Sequence, residues 1–309
     1  MKKKLIWAFF GMCVTAPLLV AQTRAPAASE SPVVSALTGA LFYQLLVGEI
    51  TAQEGEPGAG YALILDAARK TNDAQLYQRA TEIALQSRSG DAALQAAQAW
   101  QQAQPTARDP NRYVLQILIA LNRVAETLAS LKTGVALAPL AERSLAISAI
   151  PKAYARVSDK KLASSVVEEA LAAYLPNIAT AGAAWTTVGR MRLAAGDAAG
   201  ALDAAKKGHA LDPKYEGPVL VALELMDAKL PEAEVLVKHY LANNSKAIPE
   251  IRLGYARAML DAQRYSEAAA QLQTAVRDKP DFAQAWLVLG ALQLQDNSLH
   301  WRKPRLSAM

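Results

Sequence analysis

Three histidines, His209, His239 and His300, stand far apart in the chain. No two have the spacing with which one helix or turn presents metal ligands. His209 falls in the last turn before Leu211-Asp212-Pro213, where an imidazole faces a helix C-terminus favourably. The single cysteine, Cys13, lies in the first stretch of the chain, so thiol catalysis, thiolate metal sites and disulfides are not expected in the body. The run Gly55-Glu56-Pro57-Gly58-Ala59-Gly60 has the glycine density of a phosphate loop. It lacks the following Lys-Ser/Thr and reads as a turn between helices. Neither G-x-S-x-G nor S-x-x-K elements assemble a nucleophile. Recognition is the chemistry that remains. A guanidinium on a rigid helix pairs with a carboxylate through two parallel hydrogen bonds, and Arg190 and Arg257 are the candidates for that role. No catalytic residue, cofactor or metal is expected, and the chain is not read as an enzyme.

Those side chains need a helical frame. About a fifth of the chain is alanine, with 52% hydrophobic and only 6% aromatic residues. That usage favours helices that approach closely over strands. Trp185-Thr186-Thr187-Val188-Gly189 recurs as Trp286-Leu287-Val288-Leu289-Gly290. Ala201 with Ala205 recurs as Ala268 with Leu272, and Asp212-Pro213 by the same shift as Lys279-Pro280. The first shift is close to three, and the second close to two, periods of about 34 residues. Arg190 and Arg257 are related by that second shift. Each copy keeps the order W-x2-[VL]-G, a turn, A-x3-[AL], then a proline that no helix interior tolerates. Turn signals stand at Gly55-Glu56-Pro57-Gly58, Gly90-Asp91, Asn122-Arg123, Asp159-Lys160, Gly196-Asp197, Lys229-Leu230-Pro231 and Gln263-Arg264. They succeed one another at intervals of about 32 to 37 residues, centred on the same period.

The pattern resembles the tetratricopeptide repeat, a helix–turn–helix unit of that length. The expected fold is all-α: a right-handed solenoid of about seven and a half stacked hairpins. Hairpins over residues 36–180 diverge from the repeat pattern, and those over 181–295 keep it. In the repeat, Trp185, Gly189, Ala201, Pro213, Ala268, Pro280, Trp286 and Gly290 are structural, both tryptophans in the core. First helices line the inner wall, so Glu49, Arg190, Leu193, Arg257, Leu260 and Leu294 are expected to project from it. Asp296-Asn297 is expected to turn the chain after a helix over 283–295. The tail over 296–309 lacks the second helix of its hairpin; it is expected to be the end of a truncated or frame-shifted longer chain or, alternatively, to leave a last helix that a partner covers.

At the other end, Lys2-Lys3-Lys4, an apolar run from Leu5 to Val20 and Ala21 have the form of a secretory signal, with cleavage at 21–27 and a flexible link over 22–35. An uncleaved N-terminal anchor is the alternative. Lipidation of Cys13 is disfavoured by Met12, because a small residue would have to precede it. The net charge of +5 owes as much to these three lysines as to Arg302, Lys303 and Arg305 at the far end. The body is near neutral and has no footprint for nucleic acid.

One segment goes further. Leu41, Tyr43, Leu45-Leu46-Val47, Glu49, Gln53, Tyr61, Ala67, Thr71, Asp73, Arg79-Ala80 and Ile83-Ala84 resemble the opening repeats of the proteobacterial envelope tetratricopeptide lipoproteins. That family includes the adaptor of a periplasmic C-terminal processing protease, whose solenoid winds around protease and substrate. The resemblance implies a periplasmic scaffold with protein or peptide partners, such a protease among them. The alternative is the repeat portion of a larger envelope enzyme or of a peptidoglycan- or polysaccharide-processing assembly.

Overall fold

The turn signals at 55–58, 90–91, 122–123, 159–160, 196–197 and 263–264 each fall where one helix gives way to the next. The computed structural model describes the backbone of residues 37–226, 230–244 and 248–302, and the side chains of these as far as residue 295. The expected leader and link, and residues 303–309, lie outside the described residues. Among the described residues there are sixteen α-helices and no strand. They pair as α1 (Gly39–Gln53) with α2 (Pro57–Thr71), α3 (Ala74–Gln86) with α4 (Gly90–Ala103), and α5 (Arg108–Ala120) with α6 (Thr127–Ala136). In the fourth hairpin a broken first helix, α7 (Arg143–Ser148) and α8 (Ile150–Ala153), precedes α9 (Lys160–Leu171). Then come α10 (Ile178–Ala194) with α11 (Ala198–Leu211), α12 (Gly217–Met226) with α13 (Pro231–Asn243), and α14 (Pro249–Asp261) with α15 (Tyr265–Asp278). A last helix, α16 (Ala283–Arg302), packs on α15.

One backbone device makes most of these hairpins. A residue with positive φ closes the first helix: Gly55 at 101°, Arg88 at 56°, Asn122 at 57°, Gly196 at 82° and Gln263 at 59°. In each case the next N–H reaches back five residues. Asp197 N donates to the Arg192 carbonyl at 2.9 Å, and Arg264 N to the Met259 carbonyl at 2.8 Å. This left-handed C-terminal cap satisfies carbonyls that the helix leaves unpaired and reverses the chain. Asp197 then caps the second helix by accepting from Gly200 N at 2.8 Å.

Small residues set the helix spacing. Ala67, Ala80, Ala96, Ala163, Ala201, Ala204 and Ala268 are fully buried between helices. A Cβ on Gly208 would sit 2.8 Å from Trp185 Cβ and 3.0 Å from Pro218 Cγ, so α10, α11 and the start of α12 meet there at a distance that only glycine permits. Buried residues form a file of clusters along the stack rather than one ball, the arrangement of a solenoid in which each hairpin rests on its neighbours.

Two expectations fail at the last helix. α16 runs straight through Asp296-Asn297 to Arg302, so no turn forms there. Trp286 is 50% exposed, whereas Trp185 is partly buried and packed against the core. Trp185 lies against Gly208 and donates to the Leu175 carbonyl at 3.1 Å. Trp286 reaches the Pro280 carbonyl at 2.8 Å, but no described helix follows α16 to cover its ring. Gly290 likewise faces open space, where a Cβ on Gly189 would meet Val221 and Ala204.

Candidate functional site

Successive hairpins meet with an offset of about one period, and this offset decides which polar groups are consumed inside the stack. Arg79 on α3 donates twice to Glu49 on α1, both bonds at 2.7 Å, across 30 residues. Arg123 reaches Asp91 across 32, and Arg264 reaches Glu234 across 30 at 2.8 Å. Lys206 on α11 pairs with Glu232 on α13. Glu49 therefore does not project from the wall as a free carboxylate. The Arg79 hydrogen bond holds its carboxyl below the usual range against the opposing effect of burial.

The first helices of consecutive hairpins also touch: α7 lies on α10, α10 on α12, and α12 on α14. Residues one period apart in sequence on these helices make two rows by spacing. Arg190, Leu223 and Arg257 make one, and Leu193, Met226 and Leu260 the other. Leu193, Leu223, Met226 and Leu260 are half-buried, packed at the edge of the core cluster that runs from α11 to α16. Leu223 meets α14 at Gly254, where a Cβ would lie 3.1 Å from its Cδ1. Sequence reasoning missed Leu223 and Met226, although each stands one period from the neighbours that define its row. Leu294 on α16 continues the spacing and is 72% exposed.

Four arginines occur on α10 and α14, and they divide evenly. Arg192 is held by Glu168 at 2.7 Å and Asp203 at 3.6 Å, which keep its guanidinium more firmly protonated. Arg252 is almost buried, bonded to Gln271 at 3.1 Å and facing Asp278 at 3.8 Å. Arg190 and Arg257 have no carboxylate within 4.0 Å among the described residues. Arg257 is exposed and Arg190 half-buried; the buried Nε of Arg190 has no hydrogen-bond acceptor, which is also true of the Arg252 Nε. Neither guanidinium has an internal carboxylate for a ligand to displace among the described residues.

A separate cavity of about 560 Å³ opens between α5, α6 and the broken α7–α8, lined mainly by Leu115, Leu131, Val135, Ala149 and Ile150. The arginines at its mouth are already paired, Arg108 with Glu142 and Arg112 with Asp109. It presents apolar surface without a free charge.

The structure also joins two histidines that the sequence reading kept apart. His209 Nε2 and His239 Nδ1 are 2.9 Å apart across α11 and α13, with the rings edge to face. Their separation of 30 residues is one period less one helical turn, the same offset that pairs Arg79 with Glu49. That offset was the signal available in the sequence.

Hairpins of this period, turn device and offset define an all-α solenoid of tetratricopeptide-like repeats. No protein-family model matches the chain, and no curated protein matches it. Solved structures overlap it partially. A tetratricopeptide repeat protein from Parabacteroides merdae has 11% identity and a TM-score of 0.37, covering 83% of this chain and 100% of that one. YrrB, described as a TPR protein with an unusual peptide-binding site, has 16% identity and a TM-score of 0.37 over 63% and 98%. The C-terminal part of a TPR protein from Cytophaga hutchinsonii has 13% identity and a TM-score of 0.40 over 78% and 97%. Overlaps this partial carry nothing about function; the repeat class rests on the chain's own hairpins.

Proposed function

We propose that this chain is an exported scaffold or adaptor that binds proteins or peptides in the bacterial envelope along the wall formed by α10, α12 and α14. One observation carries the reading: on helices whose other arginines are committed to internal partners, Arg190 and Arg257 at equivalent places have no carboxylate partner among the described residues, each one turn from a half-buried leucine. A rigid stack presents such a surface with little ordering cost on binding. Two guanidiniums two hairpins apart suit an extended segment with acidic and apolar side chains. Export is supported by the leader-like residues 1–21, and a protease among the partners by the resemblance over residues 41–84. No nucleic acid or small-molecule cofactor enters the reading.

Cross-linked capture from envelope extracts tests it. The wild type is expected to retain a defined protein that Arg190→Glu with Arg257→Glu loses by at least about tenfold, the effect of removing charge-assisted contacts. Identical captures by the wild type and the doubly reversed variant contradict it.

A further inference from the structure

His209 is 8% exposed, and its Nδ1 is buried with no hydrogen-bond partner. Its Nε2 faces His239 Nδ1 at 2.9 Å, and His239 itself is exposed. These facts select the tautomers. If His239 Nδ1–H donated, the proton of His209 would sit on Nδ1, an N–H with no acceptor in a site closed to water. With His209 Nε2–H donating, the buried Nδ1 carries only a lone pair, and His239 keeps its proton on the solvent side. An unpaired buried donor is costly, so the second arrangement holds.

The line between the rings has room for one proton. A further proton on the pair must go to His209 Nδ1, where nothing accepts it, or to His239 Nδ1, where it opposes the proton already on the bond. The first buries a charged N–H without an acceptor, and the second breaks the contact. We propose that His209 and His239 form an acid-operated joint between the fifth and sixth hairpins, closed when both rings are neutral and opened by uptake of one proton.

The surroundings leave this logic intact. Next to His239 on α13, Tyr240 packs edge-on to His209 with ring centres 6.3 Å apart; burial raises its pKa, so it remains a neutral phenol. Lys206 on α11 is bound to Glu232 on α13, and Lys238 on α13 is bound to Glu234. Arg192 on α10 is bound to Glu168 and Asp203, and Lys207 is bound to Asp203 and lies over the Trp185 ring. On the α12 side the charges are Glu216 and Glu224; Glu216 acts on Tyr240. Burial and then His239 lower the pKa of His209, and Asp212 opposes them more weakly. The sign follows. A histidine whose folded pKa is depressed binds fewer protons folded than open, so closure is complete above its unfolded pKa of about 6.5 and is lost as the pH falls below that value.

The joint ties the hairpin that carries Arg190 to the next one, ahead of the hairpin that carries Arg257, yet it stands whatever the wall binds. Hydrogen exchange on the full chain between about pH 7.5 and about pH 5, corrected for intrinsic rates, tests it directly. Opening of α11 and α13 is expected to rise as the pH falls below about 6.5, by no more than about tenfold per unit, the limit for one proton, while α3 and α4 stay unchanged. His209→Gln with His239→Gln, whose amides can keep a bond but not a charge, is expected to abolish the dependence. Retention of the wild-type dependence by that variant, or no acid opening in the wild type, overturns the proposal. Should the variant not fold, an NMR titration of the wild type decides: His209 and His239 titrating independently overturn the joint, and coupled titration accompanied by lost protection in α11 and α13 supports it.

Discussion

Hairpins α10–α15 and hairpins α5–α9 reach the same topology by different means. The difference is clearest eleven residues before the left-handed turn residue. There the fifth hairpin has Trp185, the seventh has Arg252, and the third has Asn111. Trp185 fills space against Gly208 and Leu175, and Arg252 uses its stem for packing and its head for Gln271 and Asp278. Asn111 fills too little volume and works by hydrogen bonds instead. It donates to the Ser130 carbonyl and accepts from Gln101, both at 2.8 Å. Nearby, the buried Tyr154 hydroxyl bonds Thr127 at 2.7 Å. The volume left unfilled beside Asn111 opens as the cavity, and the first helix of the fourth hairpin is broken opposite it. A repeat frame thus tolerates a polar substitute at its signature position, at the cost of regular helices.

Deleting core volume should separate the two stretches most strongly. Leu225→Ala and Leu171→Ala, both at fully buried sites, are each expected to lose about 3 kcal/mol. Because neighbours couple only to neighbours, hydrogen exchange should show the first loss in α10–α15 and the second in α6–α10. Uniform loosening of the whole chain by either variant would erase the distinction. Asn111→Ala is expected to cost about 2 kcal/mol, since it removes two side-chain hydrogen bonds at a buried site, to the Ser130 carbonyl and from Gln101. A chemical denaturation midpoint unchanged from the wild type would show that the polar substitute does not hold the third hairpin.

Acid should distinguish the stretches next. Burial tends to raise the Glu234 pKa, but hydrogen bonds from Lys238, Arg264 and Tyr255 overcome it and hold the value at about 2. A carboxylate with a depressed pKa stabilises the fold above its unfolded value, near 4.5, and the benefit drains away as the pH falls toward about 2. Screening near the surface limits it to about 1 kcal/mol. Glu234→Gln should therefore lower stability at neutral pH by about that amount and match the wild type near pH 2; an equal deficit at both pH values would contradict the assignment. The smallest effect concerns the turn. Gln263 holds positive φ without being glycine, so Gln263→Gly is expected to gain about 0.5 kcal/mol and Gly196→Ala to lose about 1 kcal/mol. Thermal melts of the two variants check both signs.

Much of this frame could be read from residues alone. Most turn positions and the hairpin count follow from glycine, proline and the repeat period, which act locally. What escaped the reading depends on contacts between hairpins. Glu49 looked free because its partner Arg79 lies about one period away, and His209 looked isolated for the same reason. Asp296-Asn297 looked like a turn because its residues suit one. Turn residues act with the helix that follows them, and none of the described residues supplies such a helix after α16. Leu223 and Met226 escaped because they carry no signature residue and matter only through their place in the two rows.

If recognition belongs to the regular stretch and to its two uncommitted arginines, neutralising charge there must differ from neutralising it elsewhere. The decisive quantity is the affinity of one captured partner for the wild type, for Arg190→Ala with Arg257→Ala, and for Lys152→Ala with Arg156→Ala, two exposed cations of the irregular stretch. The first pair is expected to weaken binding by about tenfold or more and the second to leave it unchanged. Equal losses from both pairs, or a loss from the second alone, would place recognition outside the wall formed by α10, α12 and α14.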